Sequence, residues 1–294
     1  MEFDLQAFVE AHWPKIQRAV LPCFVRLSYQ TALKDPTGPG ESFLEQKPWE
    51  DFGCGFIVDI DGRWLFVTAA HVLDRYLEVE SELSAKYLIQ TYLEYGFHKL
   101  SESPDLSRAR IRFQSRDLFR IRTNGFDYGC FDIPQNLKDV LDAVGVRHVP
   151  IDMMAEQQET FPIYAVVGIP EKLNDRTVSE QGIRSSAPVP VLVVFNDPDP
   201  PEDMTSKVKG FYGRVQRQQG IVDGKGVPLP PLQGMSGGPI FGLRINRANP
   251  SSSLMANIRA VAIVTHATEL EPYRIGGCFL RPFIVTLRQE LAKL

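Results

Sequence analysis

The hydrophobic rhythm of the chain changes near residue 22. Before that point Phe3, Leu5, Phe8, Val9 and Trp13 recur at helical spacing, which predicts a helix over 1–21 with one apolar face. Beyond Pro22 the apolar residues come in short runs of Val, Ile and Phe separated by Gly, Pro, Asp and Asn, the pattern of a β-rich chain. Residues 56–60 and 64–68 read as two strands joined at Asp61-Gly62, a hairpin turn pair. Residues 109–114 and 126–133 read as further strands, and 135–145 as a short helix. Over 73–98 the apolar residues Leu77, Val79, Leu83, Tyr87 and Leu88 predict a helical insertion reaching about residue 100.

A second β-rich half starts near residue 160. Residues 161–167 lead into Gly168-Ile169-Pro170, and 190–195, 238–243 and 258–266 are strand candidates. Residues 197–203 read as a solvated loop and 282–294 as an amphipathic helix. Two β-rich halves with helices at the ends fit a pair of packed barrels. The expected divisions are 1–21 for the N-terminal helix, 22–158 for the first barrel with its insertion at about 73–100, and 159–294 for the second barrel and C-terminal helix.

Composition narrows the function classes. The 294 residues are 44% apolar and 23% charged, ordinary for a soluble globular protein. The formal net charge of -4, with no long run of Lys or Arg, gives no reason to expect a nucleic-acid partner. The N-terminus opens on acidic residues with no apolar run behind them, so no secretory signal is expected. No stretch approaches the roughly 18 apolar residues a membrane helix needs. Cys23, Cys54, Cys130 and Cys278 are far apart and form no CxxC pair, so we expect reduced thiols in a cytoplasmic protein. His12, His71, His98, His148 and His266 share no ligand-like spacing, so neither a metal nor a cofactor is expected.

Three segments carry candidate chemistry. Phe66-Val67-Thr68-Ala69-Ala70-His71 ends a strand in small residues and presents an imidazole, the side chain that acts as a base near neutral pH without heavy tuning. Phe126-Asp127-Tyr128-Gly129-Cys130-Phe131-Asp132 places a carboxylate at the start of an apolar strand. Buried there, it needs a partner, and His71 would supply one. Asp132 competes for that role. Gln233-Gly234-Met235-Ser236-Gly237-Gly238-Pro239 sets a serine among glycines that let backbone amides converge on a developing oxyanion. Residues 234–238 also match the nucleophile elbow of α/β-hydrolases, but that fold needs the order Ser, acid, His. The only later histidine is His266, with no Asp or Glu between it and Ser236. The order His71, Asp127, Ser236 is that of chymotrypsin.

On these motifs the chain resembles the trypsin-like, chymotrypsin-fold serine peptidases, and more closely the bacterial intracellular members that need no zymogen cleavage. The resemblance implies two packed six-stranded antiparallel β-barrels, forming one peptidase domain. It also implies His71 as general base and acid, Asp127 as its orienting carboxylate, Ser236 as nucleophile, and the amides of Gly234 and Ser236 as oxyanion hole. Val264, Thr265, His266 and Ala267 look like the strand that pairs with substrate backbone, and Gly276 and Gly277 like neighbours of the primary pocket. Gly168-Ile169-Pro170 and the final helix are similar to the family's second barrel. Trypsin has an acidic residue six positions before its serine. Pro230 stands there in this chain, so a preference for Arg or Lys is not supported. His266 is either a pocket residue or a packing one. The implied activity is endopeptidase cleavage of a protein or peptide. Some bacterial relatives in defence systems stay silent until a regulatory protein partner orders the site. The alternative is a peptide-binding module that has lost turnover.

Overall fold

A computed structural model describes residues 5–34, 43–96, 105–123, 125–156, 159–171, 176–179, 182–185, 191–215, 219–222, 225–228, 231–244, 258–268 and 272–293. Helix α1 (Leu5–Val20) leads through a tight turn into strand β1 (Phe24–Lys34). Strands β2 (Phe43–Ile60) and β3 (Arg63–Thr68) form a hairpin, followed by α2 (Ala70–Leu83), β4 (Tyr87–Tyr95), β5 (Asp105–Ile111), β6 (Leu118–Thr123), β7 (Phe126–Asp132), α3 (Gln135–Ala143) and β8 (Val149–Pro150). The second half holds β9 (Ile163–Val167), β10 (Arg176–Ser179), β11 (Gly182–Ser185), β12 (Val191–Asn196), α4 (Glu202–Lys207), β13 (Phe211–Val215), β14 (Gln219–Val222) and β15 (Lys225–Pro228). It closes with β16 (Pro239–Leu243), β17 (Ile258–Ala267), β18 (Arg274–Phe279) and α5 (Leu280–Leu291).

The second half contains a closed six-stranded barrel. Its strands run β13-β18-β17-β16-β9-β12, and β12 pairs back to β13. The first half departs from expectation. Its sheet runs β10-β11-β5-β4-β1-β2-β3-β7-β6, and no pairing among the described residues joins the ends into a ring. The reason lies at β5. Its outer edge pairs with β11, a strand from the second half, while a short helical turn over Ser115–Asp117 turns the chain into β6. Among the described residues the molecule is therefore mostly β, with one closed barrel and one sheet that does not close.

The insertion is also corrected. Its helix starts earlier, at Ala70, and ends at Leu83. Residues 87–95 are instead strand β4, hydrogen-bonded to β1 on one side and β5 on the other. The expected end of the insertion, with His98, lies outside the described residues, as do Phe3, Pro190 and Pro230.

Three cores explain why so many strands are apolar on both faces. Trp64 and Phe66 of β3 point into the first half with Val25, Leu27, Ile57 and Leu73. Leu65 and Val67 of the same strand point the other way, with Tyr128, Cys130, Ile163, Ala165, Phe241 and Ile263. Tyr164, Val166, Ile240 and Ile275 fill the closed barrel. Strand alternation thus serves an interior on one face and the junction between the halves on the other. Helix α5 seals that junction with Leu280, Phe283, Ile284 and Leu287, one stripe at helical spacing, each contributing about 1.5–3 kcal/mol of burial. The Tyr128 ring stacks on Phe283 at 4.7 Å and its hydroxyl donates to the Phe279 carbonyl at 2.6 Å. Strand β7 is thereby fastened to the second half.

Candidate active site

His71 is the second residue of α2. Ala69, which caps that helix, offers no side-chain acceptor to the exposed amides of the first turn. Asp127 supplies one from β7. Its Oδ1 accepts the His71 backbone amide at 3.0 Å, and its Oδ2 meets the ring Nδ1 at 2.5 Å. The carboxylate thus caps the helix where the macrodipole favours negative charge and orients the imidazole at the same time. One turn along, Asp74 accepts from Arg120 at 2.6 Å and Arg122 at 2.9 Å, which ties α2 to β6.

Register separates the two aspartates. β3 and β7 pair Leu65 with Asp132 and Thr68 with Gly129. Asp127 therefore projects past the end of β3, where α2 begins. Asp132 lies at the opposite end, ion-paired at the surface with Arg63.

The serine loop is stitched to this same corner. The Cys54 amide donates to the Ser236 carbonyl at 3.0 Å, and the Thr68 hydroxyl donates to the Cys54 carbonyl at 2.7 Å. Gly237, at φ +85°, presses its α-carbon against both: a Cβ there would lie 2.0 Å from Thr68 Oγ1 and 2.1 Å from the Cys54 carbonyl oxygen. Ser236 is half-buried, and the described residues include no hydrogen bond between its hydroxyl and His71.

The loop amides divide into two sets. Met235 N donates to Leu232 O at 3.3 Å, Gly237 N to Val264 O at 2.7 Å, and Gly238 N to Met235 O at 3.0 Å. The amides of Gly234 and Ser236 have no protein acceptor among the described residues. Gly234 sits at φ +91°, a conformation open to glycine at little cost.

The remaining predicted residues fall nearby with distinct settings. Val264 spends both backbone groups on the serine loop, its amide donating to Gly238 O at 2.8 Å. Thr265 sits at an irregularity in the β17–β18 pairing, next to His266. His266 is half-buried and opposite Gly276. Burial holds its imidazole below the usual range, Lys207 and then His71 add to that effect, and Asp203 partly opposes it. Ala267 pairs with Ile275. Gly276 and Gly277 are buried and closely packed, Gly276 against Val208 and Met204 of the α4 region, Gly277 against Ile240.

Two residues at this corner escaped the sequence. Cys278 lies close to Asp127, its thiol donating to the Gly125 carbonyl at 3.4 Å, while burial pushes that thiol up to about 11. Cys54, whose contacts bridge the halves, carried no motif beyond its flanking glycines. All four cysteines are buried and none is in a disulfide. Among the described residues no group of three or more His, Cys, Asp or Glu is placed to hold a metal ion. No described helix is long and apolar enough to cross a membrane. Cavities of about 460 and 420 Å³ lie against Arg112, Phe113 and Arg116 in the first half, and neither is lined by His71, Asp127 or Ser236.

No family model matches this sequence, and no curated protein matches it. Among solved structures the chain is similar to the HtrA-type protease AlgW with a decapeptide, at 10% identity and a TM-score of 0.48, over 97% of this chain and 67% of that one.

Proposed function

We propose that this chain is a serine endopeptidase of the trypsin-like class, with His71, Asp127 and Ser236 as its triad. The observation that carries the reading is the double hold of Asp127 on His71, at the corner to which the Ser236 loop is bonded. In the proposed reaction Ser236 Oγ attacks the scissile carbonyl while His71 Nε2 takes its proton. Asp127 keeps the other ring nitrogen protonated and stabilises the imidazolium. The Gly234 and Ser236 amides receive the oxyanion. The proton then passes from His71 to the leaving amine, and water, activated by the same imidazole, releases the acyl group and restores Ser236. Among the described residues Ser236 and His71 share no hydrogen bond, which suits a resting site, since catalytic hydrogen bonds often form only with substrate bound.

The substrate class under this reading is a protein or peptide, lying along Thr265 to Ala267 with His266 beside it. A regulatory protein partner that completes the Ser236–His71 contact fits the same geometry, as does the effector role implied by the bacterial resemblance.

A fluorophosphonate probe tests the reading. Wild-type protein should be labelled, and Ser236→Ala and His71→Ala should not. A folded wild type that resists labelling, alone and with cell extract, would favour the peptide-binding alternative.

A further inference from the structure

The geometry points to Cys54 as the positioning residue of the Ser236 loop, holding it so that the Gly234 and Ser236 amides face one point. This role rests on the peptidase reading above. A trans peptide is planar, with its carbonyl and amide directed oppositely, so a carbonyl that is held fixes where the paired amide points. The carbonyls on the two open amides are held within the second half: Gln233 O accepts from Glu171 N at 2.7 Å, and Met235 O from Gly238 N at 3.0 Å. The carbonyls that follow each of these, Gly234 O and Ser236 O, are both held by Cys54. Its thiol donates to Gly234 O at 3.3 Å, and its amide to Ser236 O at 3.0 Å. Carbonyls 233 to 236 thus alternate between two anchors, and one residue of the first half provides every second hold.

Gly234 most needs such a hold. Without a Cβ its dihedrals turn at little cost, and a rotation of the 234–235 peptide, which separates the Gly234 and Ser236 amides, would pull Met235 N from Leu232 O and change how those two amides face each other. A thiol is a weak donor, but this one is fixed on all sides. Cys54 is fully buried, its Sγ accepts from Ile169 N at 3.4 Å, and its carbonyl accepts from Thr68 Oγ1 at 2.7 Å. Thr68 stands three residues before His71, so the same residue sets the loop relative to the histidine. Gly53, the preceding residue, is closely packed too: a Cβ there would lie 2.8 Å from Val72 Cγ2 and 3.2 Å from the Ser236 carbonyl oxygen.

The test compares Cys54→Ala and Cys54→Ser with wild type. Fluorophosphonate inactivation is resolved into the maximal rate and the half-saturating concentration, across pH, alongside thermal melting. Cys54→Ala should lower the maximal rate about 10- to 100-fold, the order of one impaired oxyanion donor. Its half-saturation and pH midpoint should not move, and Cys54→Ser should recover most of the rate because a hydroxyl can donate to Gly234 O. A crystal structure of Cys54→Ala should show the 234–235 peptide rotated. A lower melting temperature with an unchanged maximal rate would make Cys54 merely structural and overturn the proposal, as would an unmoved loop. A wild type that is never labelled would instead sink the peptidase reading, while the crystal structure still decides whether Cys54 holds the loop.

Discussion

Asp127 grips His71 through both carboxylate oxygens, one on the backbone amide at 3.0 Å and one on ring Nδ1 at 2.5 Å. The two bonds respond differently to substitution. Asp127→Asn keeps an oxygen for the helix amide but turns an NH₂ toward Nδ1, which forces the wrong tautomer. Under the proposed function, labelling should fall about 10⁴-fold while the melting temperature barely changes. Asp127→Ala removes the cap as well and should cost about 1 kcal/mol more. Equal labelling rates in Asp127→Asn and wild type would exclude Asp127 from the mechanism.

Gly237→Ala should disable the serine loop. Its Cβ would land 2.0 Å from Thr68 Oγ1 and 2.1 Å from the Cys54 carbonyl oxygen, at a φ of +85°. We expect a loss of labelling of about 100-fold or more, with the loop displaced. Gly62→Ala is the control. Its φ is +88°, but nothing lies within 4 Å of the added Cβ, so only the backbone cost of about 1–2 kcal/mol applies and labelling should persist. Melting curves and probe kinetics on both variants decide the point.

The first half contains a buried ion pair. Arg26 Nε and Nη2 donate to Glu94 Oε2 at 3.0 and 2.7 Å, and Ser28 Oγ donates to Oε1 at 2.9 Å. Arg26 is 2% exposed and Glu94 0%. Glu94→Leu would leave the guanidinium buried without its carboxylate and should cost about 3–5 kcal/mol in urea unfolding. Adding Arg26→Met should restore most of that loss, because an apolar pair replaces the ion pair without an orphaned charge. Failure of the second substitution to recover stability would mean the pair contributes specific geometry that packing cannot replace.

His266 gives stability an acid dependence. Its folded pKa lies below the ordinary range of an imidazole, so the unfolded chain takes up a proton that the folded one resists. Stability from this group is fully present above about pH 6.5 and declines as pH falls below it. His266→Gln should melt with a shallower decline than wild type between pH 7.5 and 5. Parallel curves would show that the imidazole titrates alike in both states.

Much of the fold was legible because it follows from local chemistry. The Asp61-Gly62 hairpin, the α5 stripe and the strand holding Tyr164 and Val166 are written in turn preferences and side-chain periodicity. Strand β4 was not. Tyr87, Leu88, Leu93 and Tyr95 suit a helix face as well as a strand, and what decides is the presence of β1 and β5 on either side. The open edge of the first sheet was equally invisible, because it depends on β11 meeting β5 from 77 residues farther along the chain, as the partners Leu106 and Ile183 show.

The candidate site divides along the same line. Sequence alone determined which residue types are available and in what order: an imidazole after a strand, a carboxylate opening an apolar strand, and a serine among glycines. Those are properties of short segments. Only the tertiary structure decided that Asp127 rather than Asp132 reaches His71, because the β3–β7 register places them at opposite ends of one strand. Only the structure showed that Cys54 bonds to the serine loop, because that contact joins residues 180 positions apart and a hydrogen bond of 3.3 Å leaves no periodic mark in the chain.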